Sequence, residues 1–381
     1  MDLRIFFDPV KIEQSNDPSL FSGNIKTFKE DFPSLEAANI AIIGVGEERG
    51  TLTNKGCAQG PDEVRLQLYK LKKGTGSTRI IDLGNLRPGE MHEDTCLRLK
   101  EVIEMLMQQE ILPLIIGGSH DLDYGQFLAY EHTEKLISIL NVDAALDMAS
   151  TQDDKSKSHI NNILVYQPNF IFNYSHLAYH SYLTDQEAVN VLEKLYFETY
   201  RVGRVRENIE DMEPVIRDAD MLSFDIGAIR ISDAPGNKNA ASFGLTGEEA
   251  CQICWYAGLS SKLSSAGFYE YNPGEDFRRQ TAGVVATMIW YFIEGYSSRK
   301  GNLKVDNPNY TKFIVEIDSE YQKLIFYKNN LTEKWWMEVP YPDTKKKFAR
   351  NSIVPCSYND YLAANKGEVP DRWILTHSKL I

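Results

Sequence analysis

Short apolar runs alternate with amphipathic stretches along most of this chain. The apolar runs predict eight strands, at residues 39–45, 79–83, 112–116, 136–142, 170–174, 198–203, 221–226 and 265–270. The stretches between them have helical spacing and predict helices at residues 61–71, 93–109, 121–131, 184–195, 247–263 and 276–294. This succession is typical of a parallel sheet covered by helices.

The composition of the strand candidates narrows the fold class. Runs such as LPLII and LISILNV are almost entirely apolar, which indicates strands that are buried on both faces. We therefore predict an α/β fold, a three-layer α/β/α sandwich with a mainly parallel eight-stranded sheet. A TIM barrel is the competing topology, because counting strand and helix units does not separate the two.

The pattern changes near residue 300. FIVEID and KLIFY alternate as strands do, KWWMEV contains two adjacent tryptophans, and residues 340–381 are rich in Lys and Pro. We therefore predict a main domain over residues 1–300 and a β-rich appendage over residues 301–381 that packs on it.

Charge and composition limit the partners and the location. The chain has 41 Lys and Arg against 54 Asp and Glu, and the net charge of -13 repels nucleic-acid phosphates and anionic membranes. No window approaches the roughly 18 consecutive apolar residues of a membrane span, and the first residues lack the apolar core of a signal peptide. Five scattered cysteines suit reduced thiols, with Cys251 and Cys254 buried in a helix. We expect a cytoplasmic protein with no nucleic-acid or membrane partner.

Polar residues at the predicted strand ends are the candidates for chemistry. The third strand leads into GGSHDLD, the fourth ends in LNVDAALDM, and the seventh ends in LSFDIGAIR. These motifs contribute His120, Asp143, Asp147 and Asp225, at the sheet edge where active sites of open α/β folds gather. Three carboxylates and an imidazole suit Mn²⁺ or a similar ion. The structural alternative is that the aspartates cap helices and the histidine is simply hydrogen-bonded.

Five motifs follow one another along the chain: GGSH at 117–120, DAALD at 143–147, SFDIGAIRI at 223–231, GLT at 244–246 and EYNPGED at 270–276. An earlier segment, GCAQGPDEVR at 56–65, is similar to a Gly-Pro-x-x-x-Arg helix start. In order and spacing they resemble the ureohydrolase family of arginase, agmatinase and formimidoylglutamase. The resemblance implies an arginase-like three-layer sandwich and two Mn²⁺ ions that activate a shared hydroxide against a guanidinium or amidine carbon.

The resemblance also implies a ligand set. The full set for the family's first ion is matched by His120, Asp143, Asp147 and Asp225. The second ion's own two ligands are replaced by Ala145 and Gly227, whose side chains cannot bind a cation, so at most one Mn²⁺ is expected. A further family aspartate is Arg230 here. Clustered carboxylates repel, so Arg230 or a nearby Lys is expected to compensate the missing charge.

Two more residues match positions that act on the substrate in this family. Glu270 matches the glutamate that pairs with a cationic substrate group, and its alternative role is to lead the helix that follows Asn272 and Pro273. His159 is similar to the proton-shuttling loop histidine, and its alternative is an exposed loop residue. Formimidoylglutamases carry DLR after the metal motif, whereas this chain has Asp147, Met148 and Ala149, without the Arg for a second substrate carboxylate.

Two functions from different classes remain open. The first is a formimidoylglutamase-like or arginase-like hydrolase of a small cationic amidine or guanidine, which uses one metal ion, Glu270 and His159. The second is a catalytically inactive arginase-fold protein, with or without the ion, that binds a small ligand or a protein partner. The resemblance further implies a homo-oligomer, and we expect His176 and His180 to pack inside the fold or at an interface.

Overall fold

The computed structural model describes residues 2–149, 153–299, 308–317, 323–340 and 353–380. The main sheet contains β1 (Phe7–Asp8), β2 (Lys26–Thr27), β3 (Ile40–Val45), β4 (Ile80–Leu86), β5 (Leu112–Ile116), β6 (Ile137–Val142), β7 (Ile171–Tyr179), β8 (Glu198–Arg201), β9 (Met221–Asp225) and β10 (Ser265–Tyr269). The helices before residue 300 are α1 (Gly60–Leu68), α2 (His92–Gln108), α3 (Asp123–Leu128), α4 (His159–Val165), α5 (Gln186–Lys194), α6 (Val202–Glu207), α7 (Glu213–Arg217), α8 (Gly247–Leu259) and α9 (Gln280–Ser297).

The sheet is open and mostly parallel. Strands β3 to β10 run parallel in the order β4-β3-β5-β10-β9-β6-β7-β8, and the short β1 and β2 extend the sheet beyond β4. Because β4 and β8 stand at opposite ends of this order, the strands do not close into a barrel. The predicted three-layer sandwich is confirmed, and the competing TIM barrel is wrong.

Alternate residues of the strands are buried on opposite faces. Ile40 and Ile42 pack in one core with α1, α8 and α9, while Ala41 and Ile43 pack in a second core with α2. Side chains of a strand point alternately to the two faces, so a strand covered by helices on both sides must be apolar at every position. This explains the continuous apolar runs in the sequence.

The four central strands position the candidate site. In the sheet β5, β10, β9 and β6 are neighbours, with Ile116 beside Phe268, Tyr269 beside Asp225, and Val142 beside Phe224. Parallel strands end at the same edge of a sheet, so the residues that follow these four strands meet there.

The short helices are where the structure departs from the predicted pattern. The helices α4, α6 and α7 have five to seven residues, too few to display a clear helical period. The stretch predicted as a strand to residue 203 ends at Arg201, where α6 takes over. By contrast, β7 continues past its predicted end to Tyr179, because its second half is also buried.

The C-terminal region forms a separate antiparallel sheet. Its strands, in the order β11-β12-β13-β14, are β11 (Tyr310–Glu316), β12 (Lys323–Asn329), β13 (Trp335–Glu338) and β14 (Ile353–Cys356). Two helices that the sequence pattern did not predict follow, α10 (Tyr358–Asn365) and α11 (Asp371–Leu380). The β-rich appendage is confirmed as a sheet, and the predicted boundary at residue 300 lies outside the described residues.

Charged contacts join this region to the main sheet. Arg372 in α11 donates to Glu198 at 3.2 Å and to Asp218 at 3.3 Å. The Arg217 guanidinium lies 4.4 Å from the ring centre of Trp336 and hydrogen-bonds the region's backbone. All five cysteines are free and buried. Among the described helices, none is both long enough and apolar enough to cross a membrane.

We expect Arg372→Met to lower the free energy of unfolding by about 3 kcal/mol, because it removes the guanidinium from a buried ion-pair network in which Lys262 still contacts Asp218. Arg372 is 11% exposed in these contacts. Urea denaturation measures the change. The control is Lys323→Met, whose ion pair with Glu316 is exposed and should contribute less than about 1 kcal/mol. Equal stabilities of the two variants would contradict the assigned role of Arg372.

Candidate metal centre

The edge of the four central strands carries a group of buried polar side chains. His120 opens the turn after β5, Asp143 follows β6, Asp225 ends β9 and Glu270 follows β10. Asp147 reaches the same region from the loop after Asp143, and each of the five is almost fully buried. The residues predicted as metal ligands are therefore brought together.

Two of the aspartates each present one oxygen to His120. The Nδ1 atom of His120 lies 3.5 Å from Asp143 Oδ2 and 3.3 Å from Asp225 Oδ2. The other oxygens accept backbone N–H groups two residues further on, from Ala145 at 3.2 Å and from Gly227 at 2.6 Å. The two positions that lack the family's ligand side chains thus still hold the carboxylates through their backbone.

A buried hydrogen-bond network fixes both histidine rings. Asp123 accepts the Ser223 hydroxyl at 3.1 Å with one oxygen and the Nδ1–H of His159 at 2.8 Å with the other. Since Ser223 donates to Asp123, its oxygen accepts from His120 Nε2, at 2.8 Å. This arrangement leaves His120 Nδ1 and His159 Nε2 facing the carboxylates.

His159 begins α4 and is fully buried, so the alternative of an exposed loop residue is wrong. Its ring centre lies 4.3 Å from that of His120, and its Nε2 lies 3.8 Å from Asp147 Oδ2. Burial lowers the pKa of His159, but the charge of Asp123 and the interactions of the ring with Asp123 and Asp147 together outweigh it, and the pKa rises to about 9. The imidazole is therefore held beside the centre with a strong affinity for a proton.

Four buried atoms of this group have no hydrogen-bond partner: His120 Nδ1, Asp143 Oδ2, Asp147 Oδ2 and His159 Nε2. These atoms lie within 4.8 Å of one another. Leaving buried polar atoms unpaired is costly, and a convergent set of imidazole nitrogens and carboxylate oxygens is what a divalent cation requires. The residues therefore fit a divalent ion such as Mn²⁺, and Asp225 Oδ2 adjoins the same space.

The compensating cation is a lysine, and the predicted role of Arg230 is wrong. Arg230 is 37% exposed and pairs with Asp233 at 2.8 Å. Asp233 also accepts the backbone N–H of Gly247 at the start of α8, which holds this pair away from the carboxylates. Lys157 instead approaches Asp147 Oδ1 at 3.4 Å.

The carboxylates respond differently to their surroundings. Burial raises the pKa of Asp143 to about 7, with further contributions from Asp225 and Asp147. Burial also raises the pKa of Asp147, but the charges of Lys157 and then His159 outweigh it, so the net shift is downward. The surroundings therefore oppose the negative charge of Asp143 and favour that of Asp147.

Glu270 is fixed by the protein on both carboxylate oxygens. Oε1 accepts the backbone N–H of His120 at 2.8 Å, and Oε2 accepts the Asn54 side chain at 2.6 Å. Burial and then the charge of Asp225 raise the pKa of Glu270 to about 8. Its alternative role fails, because Asn272 caps the short helix that follows.

Sequence reasoning missed four supporting residues: Asn54, Asp123, Lys157 and Ser223. Asp123 and Ser223 stand inside the GGSHDLD and LSFDIGAIR motifs, three residues after His120 and two before Asp225, and this closeness to candidate ligands was a signal that could have found them. Asn54 comes from a loop distant in the sequence and carried no such signal, whereas Lys157 stands two residues before His159 and did carry one. Asp121, the residue after His120, hydrogen-bonds His92.

Most of the chain before residue 300 matches one known protein family. The family model described as "Arginase family" matches residues 38–294. This chain belongs to the arginase family.

Individual members of the arginase family are similar to this chain at low sequence identity. The formimidoylglutamase of Staphylococcus haemolyticus is 26% identical over 306 residues, covering 74% of this chain and 96% of the relative. The formimidoylglutamase of Streptococcus gordonii is 23% identical over 283 residues, covering 68% and 85%.

Two solved structures are similar in fold. The formiminoglutamase of Trypanosoma cruzi, solved with Mn²⁺, has a TM-score of 0.65 and 21% identity over 71% of this chain and 100% of its own. The formimidoylglutamase of Bacillus subtilis has a TM-score of 0.67 and 19% identity over 76% and 95%. At these identities the likeness establishes the shared fold.

The buried His176 in β7 gives a pH prediction. Its Nε2 lies 3.2 Å from the backbone oxygen of Asp143, and burial lowers its pKa to about 3. Below about pH 6.5 the unfolded chain binds a proton at His176, whereas the folded chain does not. The free energy of unfolding therefore falls as the pH is lowered, by up to about 1.4 kcal/mol per pH unit. His176→Gln should reduce this slope between pH 6 and 4 in urea titrations. The exposed His132→Gln should leave it unchanged, and equal slopes for both would contradict the assignment.

Proposed function

We propose that this arginase-family protein hydrolyses the C–N bond of a linear amidine with the help of one divalent ion. The observation that carries the proposal is the set of four buried, unpaired donor atoms that converge within 4.8 Å. The two relatives from Staphylococcus haemolyticus and Streptococcus gordonii are formimidoylglutamases, and the T. cruzi protein was solved with Mn²⁺. Mn²⁺ is therefore the proposed ion, and formimidoylglutamate the first substrate to test.

The ion would be held by His120, Asp143, Asp147 and Asp225. When bound, it would supply Lewis acidity and lower the pKa of a coordinated water molecule. A single ion is proposed because Ala145 and Gly227 offer no side-chain ligand to a second one. Asp123 and Ser223 orient His120, so that its Nδ1 faces the ion from a fixed direction.

Glu270 is proposed to bind the positively charged amidine. Its carboxylate stands at the strand end beside the centre and is prevented from turning away by His120 N–H and Asn54. A carboxylate in this position accepts hydrogen bonds from amidinium N–H groups, and the opposite charges strengthen those bonds. The substrate carbon would thereby be oriented toward the metal.

His159 is proposed to move protons. Asp123 binds its Nδ1–H and leaves Nε2 directed into the centre, which is the geometry of a carboxylate-oriented general acid. A proton on Nε2 would be positioned for delivery to the departing nitrogen.

A non-catalytic arginase-fold protein is the second candidate. It is favoured by the ion pair between Lys157 and Asp147, because this pair already places a positive charge against the carboxylates.

We also propose that the protein is cytoplasmic, that it assembles into homo-oligomers, and that it is divided into domains 1–300 and 301–381.

Metal content decides between the two candidates. Protein purified with Mn²⁺ present should contain about one tightly held ion per chain by elemental analysis, since the family's second site lacks its own ligands. Asp143→Ala should contain none and should not hydrolyse formimidoylglutamate. If wild-type protein also retains no ion, the hydrolase proposal fails and the non-catalytic candidate replaces it.

His159→Asn tests whether the imidazole moves protons. The variant should keep its Mn²⁺ while kcat falls by about 10²–10⁴, the usual contribution of a general acid or base. His92→Gln, which changes a histidine outside the centre, serves as the control and should retain both properties. Loss of the ion in His159→Asn would make His159 a ligand instead.

A further inference from the structure

Few basic side chains of the described residues contact the carboxylates of this centre. Asp143, Asp147, Asp225 and Glu270 are buried together at one edge of the sheet. In the part of the chain that the structure describes, the only lysine or arginine in ion-pair contact with any of them is Lys157, whose Nζ lies 3.4 Å from Asp147 Oδ1. Among the described residues, these four carboxylates therefore have one basic side chain in ion-pair contact.

Lys157 reaches the centre from outside. It ends the short helix Lys155–Lys157, which lies between Asp147 and His159 in the sequence. Its side chain is 35% exposed, whereas Asp147 is buried. The ammonium group therefore contacts a buried carboxylate while its flexible stem remains accessible to solvent, so the group can turn outward without disturbing the core.

We propose that Lys157 is the second cation of this centre, an internal competitor that neutralises the carboxylates when no metal is bound and weakens the binding of a metal ion. This role of Lys157 rests on the proposed function, because Lys157 contacts one of the proposed metal ligands, and it describes how metal binding at that site is regulated. The Lys157 ammonium supplies positive charge at the centre without needing the side-chain ligands that Ala145 and Gly227 do not provide.

A set of buried carboxylates without a cation is strongly destabilising, and Lys157 is the basic side chain that the structure places against this set. A cation that approaches Asp147 must share its carboxylate with the ammonium or displace it, since like charges at short range repel. Metal binding and Lys157 contact are therefore opposed.

The test compares Lys157→Met with wild type in metal-free, EDTA-treated protein. Without the ammonium, the Kd for Mn²⁺ measured by titration calorimetry should fall at least about tenfold. The melting temperature of the metal-free protein should fall by about 3 °C or more, and added Mn²⁺ should restore it. Lys157→Arg keeps the charge and should resemble wild type in melting temperature.

The matched control is Lys155→Met. Lys155 lies on the same short helix, is 36% exposed and pairs with Glu93, outside the centre. It should change neither the Mn²⁺ affinity nor the melting temperature. If Lys157→Met behaves like this control in both measurements, the proposal is overturned.

A failure of the proposed role of Lys157 can be distinguished from a failure of the hydrolase proposal. If neither wild type nor Lys157→Met binds Mn²⁺, the proposed hydrolase fails, and the metal-free melting temperatures alone decide whether Lys157 neutralises the cluster. If Lys157→Met binds Mn²⁺ and wild type does not, the role of Lys157 is supported while the hydrolase proposal fails for the natural chain. If Lys157→Met does not fold but Lys157→Arg does, the need for a positive charge is supported. Failure of both variants to fold, with Lys155→Met intact, would overturn the proposal, because charge would not be the property that matters.

Discussion

The burial of several carboxylates within a few ångströms of one another is the constraint on which this centre depends. An isolated buried carboxylate is very unfavourable, and Asp143, Asp147 and Asp225 are buried beside one another. Each therefore has a specific source of compensation. Backbone N–H groups hold one oxygen of Asp143 and of Asp225, Lys157 approaches Asp147, and His120 lies beside two of the three.

The fold creates this constraint before any ligand is considered. Four neighbouring parallel strands, β5, β10, β9 and β6, deliver their carboxyl ends to one edge of the sheet. The residues that follow them lie at the carboxyl edge of the sheet, where open α/β folds place polar side chains that bind ligands. The same geometry brings Glu270, at the end of β10, next to His120, at the end of β5.

Backbone and side-chain hydrogen bonds orient the donor atoms of this centre. The amides of Ala145 and Gly227 bind one oxygen of Asp143 and of Asp225. Asp123, together with Ser223, ties both imidazoles into one network. The result is a compact set of donor atoms whose directions are fixed by the protein.

Much of this fold was predictable from the sequence. The eight predicted strands are apolar runs that can be recognised from a few consecutive residues. The motifs around His120, Asp143 and Asp225 mark where three of these strands end. Their convergence was also predictable, because parallel strands share an edge. The helices α4, α6 and α7 were not, since five to seven residues display little periodicity, and the two C-terminal helices lie in a stretch that was interpreted from its Lys and Pro content.

The sequence by itself determined the fold class and which side chains could serve as metal ligands. Only the tertiary structure decided which atoms of those side chains remain unpaired, because the hydrogen bonds that involve Asn54, Ser223 and Asp123 join segments distant in the sequence. The tertiary structure also decided which basic side chain lies beside the carboxylates. Arg230 is closer in sequence to a candidate ligand, but Asp233 and the start of α8 hold it away from the centre. Lys157, at the end of a short helix, contacts Asp147 instead. Charge interactions depend on distance in space, which sequence separation does not fix.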